Sequence, residues 1–230
     1  PQGLPIFLSY RKSTGGRAWH VRDVVEHIEG MYIYRGWDFG TVRPACVWLQ
    51  WGEQKRILRE KLGFNTHTRE FGRYIKELST EMFPGFEFKD YCDPQGFAAA
   101  TKDGKSDVDE LRDLEIAPFR IRKTNPAWRA TLIDDYLKRT VNTEHGVEPE
   151  IVLDASCHIL DAALSGGYHR QEPIPEQEVD DEPVKDGYFE HIVDALGFVF
   201  VGRGGMGAST QSEKKALREM NKRMRNSYNC

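Results

Sequence analysis

Two apolar runs that each end in an aspartate constrain the fold of this chain more than any other feature. The first run covers residues 31–38 and ends in Asp38, before a Phe-Gly pair. The second covers residues 86–93 and ends in Asp93, before a Pro-Gln-Gly turn. Short apolar runs bounded by turn residues are typical of buried strands. The pattern therefore predicts two strands whose ends each present a carboxylate.

A third aspartate lies inside a helical pattern. Asp194 stands among Ile192, Val193, Ala195 and Leu196. A carboxylate amid so much apolar surface is costly unless it is paired or coordinates a metal, which favours a functional role.

His191 lies one turn before Asp194, on the same helix face. It would ligate a metal, orient Asp194 or position a water. The alternative is an ordinary surface histidine that is already hydrogen-bonded.

Carboxylates at two strand ends and on one helix face can converge from distant parts of a chain. Such hard oxygen ligands suit Mg²⁺ or Mn²⁺. A pair of these ions clamps the attacking and the leaving oxygen of a phosphodiester. Because three carboxylates around one site repel each other, replacing any one of them with an amide is not expected to destabilise the metal-free fold.

Composition bounds the class of protein. The chain has 230 residues, 39% of them hydrophobic, which suits one globular domain with or without an arm. No apolar stretch reaches membrane-spanning length, and no signal-peptide pattern is present, so no membrane partner is expected. The four cysteines lack C-x-x-C spacing and indicate reduced thiols in the cytoplasm. The net charge of −4 argues against a nonspecific DNA-coating protein, but a carboxylate cluster in a nuclease would lower the net charge too.

The order of predicted elements indicates an α/β fold. Strands over residues 31–38, 45–51 and 55–62 form a meander, and helices alternate with strands after it. The result is a mixed sheet with a central strand carrying Asp38 and helices on both faces. A short helix is expected at 21–28 and a short strand at 119–121.

The chain is predicted to divide into three parts. Residues 1–30 form an N-terminal arm, and residues 31–202 form the main domain. Within that domain, residues 168–187 are a Gly-, Pro- and acid-rich insertion. Residues 203–230 form a basic C-terminal tail.

Together these pieces resemble the nuclease domain of tailed-phage and herpesvirus-type large terminase subunits, which has the ribonuclease-H-like fold. The resemblance covers roughly residues 31–202. It rests on Gly36-Trp37-Asp38-Phe39-Gly40, on Asp93-Pro94-Gln95-Gly96 and on the segment from Tyr188 to Leu196. Their order, and their placement on strand, strand and helix, make the combination specific.

The resemblance implies a metal-dependent endonuclease that cuts concatemeric viral double-stranded DNA during genome packaging. Asp38, Asp93 and Asp194 would hold two divalent cations, Mg²⁺ or Mn²⁺, with Asp38 bridging them. The products would carry a 5′-phosphate and a 3′-hydroxyl.

The implied partners are the ATPase domain of the same full-length protein, the portal and the small terminase subunit, in the host cell cytoplasm during virion assembly. The arm at residues 1–30 would be the linker from that ATPase domain. This sequence contains no G-x-x-x-x-G-K-[ST] motif, so no ATPase activity is expected of it. The insertion is expected to act as a mobile acidic lid over the site, or to be an ordinary surface loop.

Other readings stay open for single residues. Glu190 is expected to face solvent or to assist the site. Asp154 would N-cap the following helix or add a fourth carboxylate. The glycine-rich segment 202–207 is interpreted as a hinge, because it follows a helix and lacks the Lys-Ser/Thr of a phosphate loop.

Two other functions also fit the pattern. One is another ribonuclease-H-like enzyme, such as a resolvase, a transposase or a ribonuclease H. The other is a non-catalytic module that docks on a portal or motor ring and binds no metal.

Overall fold

The computed structural model describes residues 3–40, 42–98, 104–171 and 182–204. Within these ranges five α-helices are formed: α1 Thr68–Met82, α2 Asp107–Arg112, α3 Pro126–Leu137, α4 His158–Ala162 and α5 Phe189–Arg203. The same ranges contain twelve strands: β1 Leu4–Pro5, β2 Ser13–Thr14, β3 Arg17–Ala18, β4 Val21–Arg22, β5 Ile33–Asp38, β6 Ala45–Trp51, β7 Lys55–Leu62, β8 Phe88–Cys92, β9 Thr140–Thr143, β10 Gly146–Pro149, β11 Ile151–Asp154 and β12 His169–Arg170.

Six strands form the main sheet, in the order β4-β11-β7-β6-β5-β8. β5, β6 and β7 are the predicted antiparallel meander, whereas β8 lies parallel to β5 and β11 lies parallel to β7. The strand that ends in Asp38 is therefore an interior strand, paired on both sides. The predicted mixed α/β sheet with helices on both faces is confirmed.

Each face of the sheet is covered by its own apolar core. On one face, Phe71 and Ile75 of α1 pack with Leu111 of α2 against Trp37 and Trp48 of the sheet. On the other face, α3 and α5 pack together, and Ile192, Leu196 and Phe200 of α5 are fully buried. Helix α5 is apolar around most of its circumference because it lies between the sheet and other elements.

Gly36 allows α5 to lie directly on β5. A Cβ atom at this position would stand 1.9 Å from the Ala195 carbonyl oxygen and 2.9 Å from a Val199 methyl carbon. Helix and strand backbones therefore touch at the residue two places before Asp38. This contact fixes the height of α5, and thus of Asp194, relative to the end of β5.

Two helices begin at side-chain caps. The Ser106 hydroxyl accepts from the Asp109 backbone N–H and the Asp109 carboxylate accepts from the Ser106 backbone N–H, which completes a capping box. At α3 the Asn125 side chain accepts from the Trp128 backbone N–H, and Pro126 occupies the first turn. These caps fix where α2 and α3 begin.

The helix predicted for residues 21–28 is wrong. Val21 and Arg22 pair instead with β11 as an edge strand. The Arg22 carbonyl oxygen accepts from the Ala155 backbone N–H at 2.8 Å. Sheet pairing thus satisfies backbone groups that a helix would otherwise have paired internally.

The strand predicted for residues 119–121 is also wrong. Within the described chain, only Phe119 of these residues makes a bridge, with Tyr91. The segment therefore touches β8 at one point and does not extend the sheet.

Parts of the predicted arm pack onto the domain. Ile6, Phe7 and Val25 are buried in the two cores, and β4 extends the main sheet. The boundary at residue 30, like the other domain limits, stays a prediction. Within the described residues, no helix is both long enough and apolar enough to span a membrane.

The ends of the insertion are held together. β12 pairs with β1, and the Val184 N–H donates to the His169 carbonyl oxygen at 2.9 Å. Residues 172–181, which include most of the acidic residues of the predicted lid, lie outside the described residues. So does the basic tail from residue 205 onward. Helix α5 continues through Gly202 to Arg203 and so includes the first two residues of the segment 202–207 that was interpreted as a hinge.

Candidate active site

The two strand-end aspartates lie side by side. β8 is parallel to β5, so both strands end at the same sheet edge. The Asp93 backbone N–H donates to the Trp37 carbonyl oxygen at 3.4 Å. The Phe39 ring packs on Gly96, where a Cβ atom would meet the ring at 2.3 Å. The turns after Asp38 and Asp93 are thereby joined.

Asp93 also starts a short 3₁₀ turn at Pro94–Phe97. Its side chain accepts from the Gln95 backbone N–H at 2.9 Å. Asp93 therefore has a structural role in this turn. One carboxylate oxygen caps the turn, and the half-buried side chain keeps a second oxygen for other ligands.

Helix α5 brings His191 and Asp194 over the same edge. The His191 Nδ1 atom lies 2.7 Å from an Asp38 carboxylate oxygen. His191 is thus a partner of Asp38 across the fold, and not of Asp194 on its own helix. The hydrogen bond to Asp38 raises the pKa of His191.

Burial and crowding change the chemistry of Asp38. Burial raises the pKa of its carboxyl to about 7; the His191 hydrogen bond opposes this rise, and the charges of Asp194 and Asp93 add to it. Burial likewise raises the pKa of Asp194, and the charge of Asp93 adds to that rise. All three predicted carboxylates therefore lie within electrostatic reach of one another.

Asp194 has a partner that the sequence reasoning missed. Arg129 on α3 donates to both of its carboxylate oxygens, from Nε at 3.0 Å and from Nη2 at 2.7 Å. The Arg129 charge opposes the rise that burial causes in the pKa of Asp194. A signal was present, because Arg129 lies four residues before Ile133 on the buried side of α3. A lone buried cation and a lone buried anion on two apolar helices are expected to pair.

The carboxylates lie close together, but they are not positioned as the ligands of one metal ion. Within the described ranges, no group of three or more His, Cys, Asp or Glu side chains is positioned to hold a metal ion. His191 and Arg129 neutralise part of the negative charge instead. The three carboxylates nevertheless suit a hard divalent cation, because such ions prefer oxygen ligands. A bound cation would also relieve the repulsion among the carboxylates.

Glu190 and Asp154 both make hydrogen bonds to nearby backbone N–H groups. Glu190 does not simply face solvent, since its carboxylate accepts from the backbone N–H groups of Asp186 and Gly187 before α5. Asp154 accepts from the Val25 and Ser156 backbone N–H groups and pairs with Arg59. It neither N-caps α4, which begins after Cys157, nor joins the aspartates.

Comparison with protein-family models gives no match, and no curated protein matches the sequence. Solved structures do match the fold. The large terminase from a thermophilic bacteriophage superimposes with a TM-score of 0.63 at 17% identity, over 89% of this chain and 46% of that one. This chain therefore spans less than half the length of that terminase. The P22 large terminase nuclease domain gives a TM-score of 0.57 at 14% identity, over 80% of this chain and 87% of that one.

The large terminase nuclease from the thermophilic phage G20c gives a TM-score of 0.54 at 13% identity, over 86% of this chain and 97% of that one. The same nuclease has been solved with bound cobalt and with bound magnesium. The chain therefore has the fold of the large terminase nuclease domains, as its sequence motifs predicted.

Proposed function

We propose that this chain is the nuclease part of a viral large terminase and cuts double-stranded DNA during genome packaging. The observation that carries the proposal is the meeting of Asp38, Asp93 and Asp194 at one sheet edge. The fold shared with one phage large terminase and two phage terminase nucleases supports it. The full-length protein would add an ATPase domain and would act with the portal and a small subunit in the host cytoplasm.

The three carboxylates are the proposed ligands of Mg²⁺ or Mn²⁺. Bound cobalt and magnesium in the G20c nuclease support divalent cations for this fold. Such ions would supply the Lewis-acid chemistry of phosphodiester hydrolysis.

The residues of the chain have separate tasks. Asp38 and Asp93 anchor the site to adjacent strand ends, and Arg129 fixes both oxygens of Asp194. His191 holds or releases a proton at Nδ1 beside Asp38. Because backbone contacts carry no base information, cutting should show little sequence preference.

A plasmid-nicking assay tests the proposal. The wild type is expected to convert supercoiled DNA to nicked and linear forms with Mn²⁺, and to lose this activity in EDTA. Asp38→Asn, Asp93→Asn and Asp194→Asn should each abolish cleavage. Asp135→Asn is the matched control, because that carboxylate is an exposed surface partner of Lys138.

Circular dichroism must show that each inactive variant is folded. Wild-type rates in any one of the three variants would remove that residue from the site. A panel of duplex DNA, RNA–DNA hybrid and four-way junction then separates a terminase from a ribonuclease H or a resolvase. Preference for the hybrid or the junction would overturn the packaging role while keeping the nuclease.

A further inference from the structure

Two groups of cations stacked on aromatic rings flank the carboxylates. The first, here called the Phe64 group, consists of Arg43, Lys61, Phe64 and Tyr74. The Arg43 guanidinium carbon lies 4.3 Å from the Phe64 ring centroid, and the Lys61 Nζ atom lies 5.0 Å from that of Tyr74. Phe64 is 63% exposed and Tyr74 is 43% exposed, so both rings face solvent while a cation covers them.

The second set, here called the Phe97 group, consists of Phe97, Arg120, Arg122 and Trp128. The guanidinium carbon of Arg120 lies 4.8 Å from the Phe97 ring centroid, and that of Arg122 lies 4.3 Å from the Trp128 centroid. Both arginines are exposed.

The register of the sheet places the Phe64 group beside the site. Asp38 pairs with Ala45, and Ala45 pairs with Leu62, so the ends of β5, β6 and β7 form one row. The chain beyond that row is tied together, because the Asn65 N–H donates to the Val42 carbonyl oxygen at 3.0 Å. Arg43 and Phe64 therefore lie at the same sheet edge as Asp38.

The Phe97 group lies at that edge on the other side. Phe97 ends the 3₁₀ turn that Asp93 begins. Phe119 bridges Tyr91 in the parallel sense, so the residues after Phe119 run beyond the end of β8. The distance across the ends of the adjacent strands β7, β6, β5 and β8 is three interstrand spacings, about 14 Å. Since phosphates of one DNA strand follow each other by about 3.4 Å along the axis, this width is about four nucleotides.

These cations have no anionic partner in the described part of the chain. No ion pair there involves Arg43, Lys61, Arg120 or Arg122, and the buried Nε atom of Arg43 has no hydrogen-bond acceptor. Some exposed cations elsewhere are paired, as Lys105 is with Asp113 and Lys138 is with Asp135, whereas others, such as Arg139, make no ion pair within the described residues. Cationic side chains without an ion-pair partner among the described residues therefore lie on both sides of the negatively charged site.

We propose that the Phe64 and Phe97 groups bind the DNA backbone on either side of the phosphodiester held at Asp38. The inference rests on the proposed nuclease function and assigns the surface that positions its substrate. A polyanion with regularly spaced charges can contact both groups at once. The stacked rings restrain each cation and add apolar surface for sugars.

Fluorescence anisotropy with a labelled duplex of roughly 20 base pairs in EDTA tests the inference without cleavage. The variants are Arg43→Gln, Arg122→Gln and their combination. Each lost phosphate contact should weaken binding about fivefold at roughly 0.15 M salt, and should reduce the slope of log K against log salt by about 0.9. The double variant should show about twice the change in slope.

Arg139→Gln is the matched control. Arg139 is also exposed and stacked, 4.1 Å from the Tyr136 ring centroid. It lies at the opposite end of the sheet, where its carbonyl oxygen accepts from the Glu150 backbone N–H beside the start of β7. The affinity and salt slope of this variant should equal those of the wild type.

Wild-type binding by the double variant, or an equal loss in Arg139→Gln, would overturn the inference. So would competition by polyglutamate as effective as that of unlabelled DNA at equal charge, because the surface would then suit an acidic protein. The nicking assay is separate. Weakened binding in the variants with no nicking by the wild type would reject the nuclease function alone, and nicking with unchanged binding would reject this surface alone.

Discussion

The pair of Arg129 and Asp194 is the residue-level feature on which the site depends most. Both charges are largely buried, with side-chain exposures of 7% and 16%. Removing one partner of such a pair typically costs about 3–5 kcal/mol, because the other charge stays buried and unpaired. Since Asp194 keeps some contact with solvent, the lower end of that range applies.

Arg129→Gln is therefore expected to lower the free energy of unfolding by roughly 3 kcal/mol. Adding Asp194→Asn to this variant removes the unpaired charge and should recover part of the loss. Urea unfolding of both single variants and the double variant measures the coupling. Arg129→Lys, which keeps the charge without the planar fork, should lose less. Strictly additive losses would show that the two side chains do not stabilise each other.

This pair also corrects an expectation drawn from the sequence. Repulsion among three carboxylates suggested that any one could be replaced without destabilising the metal-free fold. The argument still applies to Asp38, because the charges of Asp194 and Asp93 add to the rise that burial causes in its pKa. It does not apply to Asp194, because its replacement would leave Arg129 without an anion.

That Asp38, Asp93 and Asp194 come together could be predicted, but their partners could not. Strand ends and a buried acid on an apolar helix are local patterns that one stretch of sequence contains. The bond from His191 to Asp38 joins residues 153 positions apart, and the bond from Arg129 to Asp194 joins residues 65 apart. Such partners depend on how α5 and α3 lie on the sheet, which no local pattern specifies.

At the scale of elements, the direct contact of α5 with β5 sets the geometry of the site. Gly36→Ala would place a Cβ atom 1.9 Å from the Ala195 carbonyl oxygen, so the helix must move. Overpacking of this kind costs about 1–3 kcal/mol. A displacement of about 1 Å at Asp194 would lower the nicking rate by roughly a hundredfold.

Gly40→Ala is the control for this prediction. A Cβ atom on Gly40 meets nothing within 4 Å, so stability and nicking should be unchanged. Thermal unfolding and the plasmid assay measure both effects. Unchanged nicking in Gly36→Ala would show that the site tolerates movement of α5.

The hydrogen bonds between β7 and α4 are expected to make stability depend on pH. Glu60 of β7 accepts from the Ile159 and Leu160 backbone N–H groups of α4, at 2.6 and 2.8 Å. Burial raises the pKa of this carboxyl to about 7, against the effect of the two N–H donors. The folded protein thus binds this proton more tightly than the unfolded chain does. The stability that the protonated Glu60 carboxyl contributes is full below the pKa of the unfolded chain and is lost as pH rises through about 7.

Glu60→Gln should remove this dependence, because an amide does not titrate. Relative to the variant, the free energy of unfolding of the wild type is expected to fall from about pH 5 to about pH 7.5 and then to level off. Urea unfolding at half-unit pH steps in EDTA measures it. A constant difference across the range would mean that Glu60 has an ordinary pKa in the folded protein.

Most elements of this fold were predictable because their signals are local. The meander, the helix caps at Ser106 and Asn125, and the apolar α5 all follow from short patterns. The two wrong elements depend on distant strands. Residues 21–28 have helical spacing, but pairing with β11 decides their structure, and Phe119 makes only one bridge because the chain then leaves β8.

At the scale of the whole molecule, charge is arranged so that buried acids have compensating groups. Arg35 pairs with Asp90, and Lys55 pairs with Glu150, inside the fold. The carboxylates around Asp38 are compensated less completely, because His191 and Arg129 face three acids. The candidate active site is therefore where a bound divalent cation would stabilise the whole domain.

Mn²⁺ is accordingly expected to raise the melting temperature of the wild type but not of Asp38→Asn. A ligand that binds only the folded state at about a hundred times its Kd contributes about 2.7 kcal/mol. For a domain of this size that corresponds to a shift of roughly 5–10 °C. Differential scanning fluorimetry with and without Mn²⁺ measures the shift, and Asp135→Asn should respond as the wild type does. Equal shifts in wild type and Asp38→Asn would place the ion elsewhere, for example at the acidic run of residues 176–182, and would remove the carboxylate edge as the metal site.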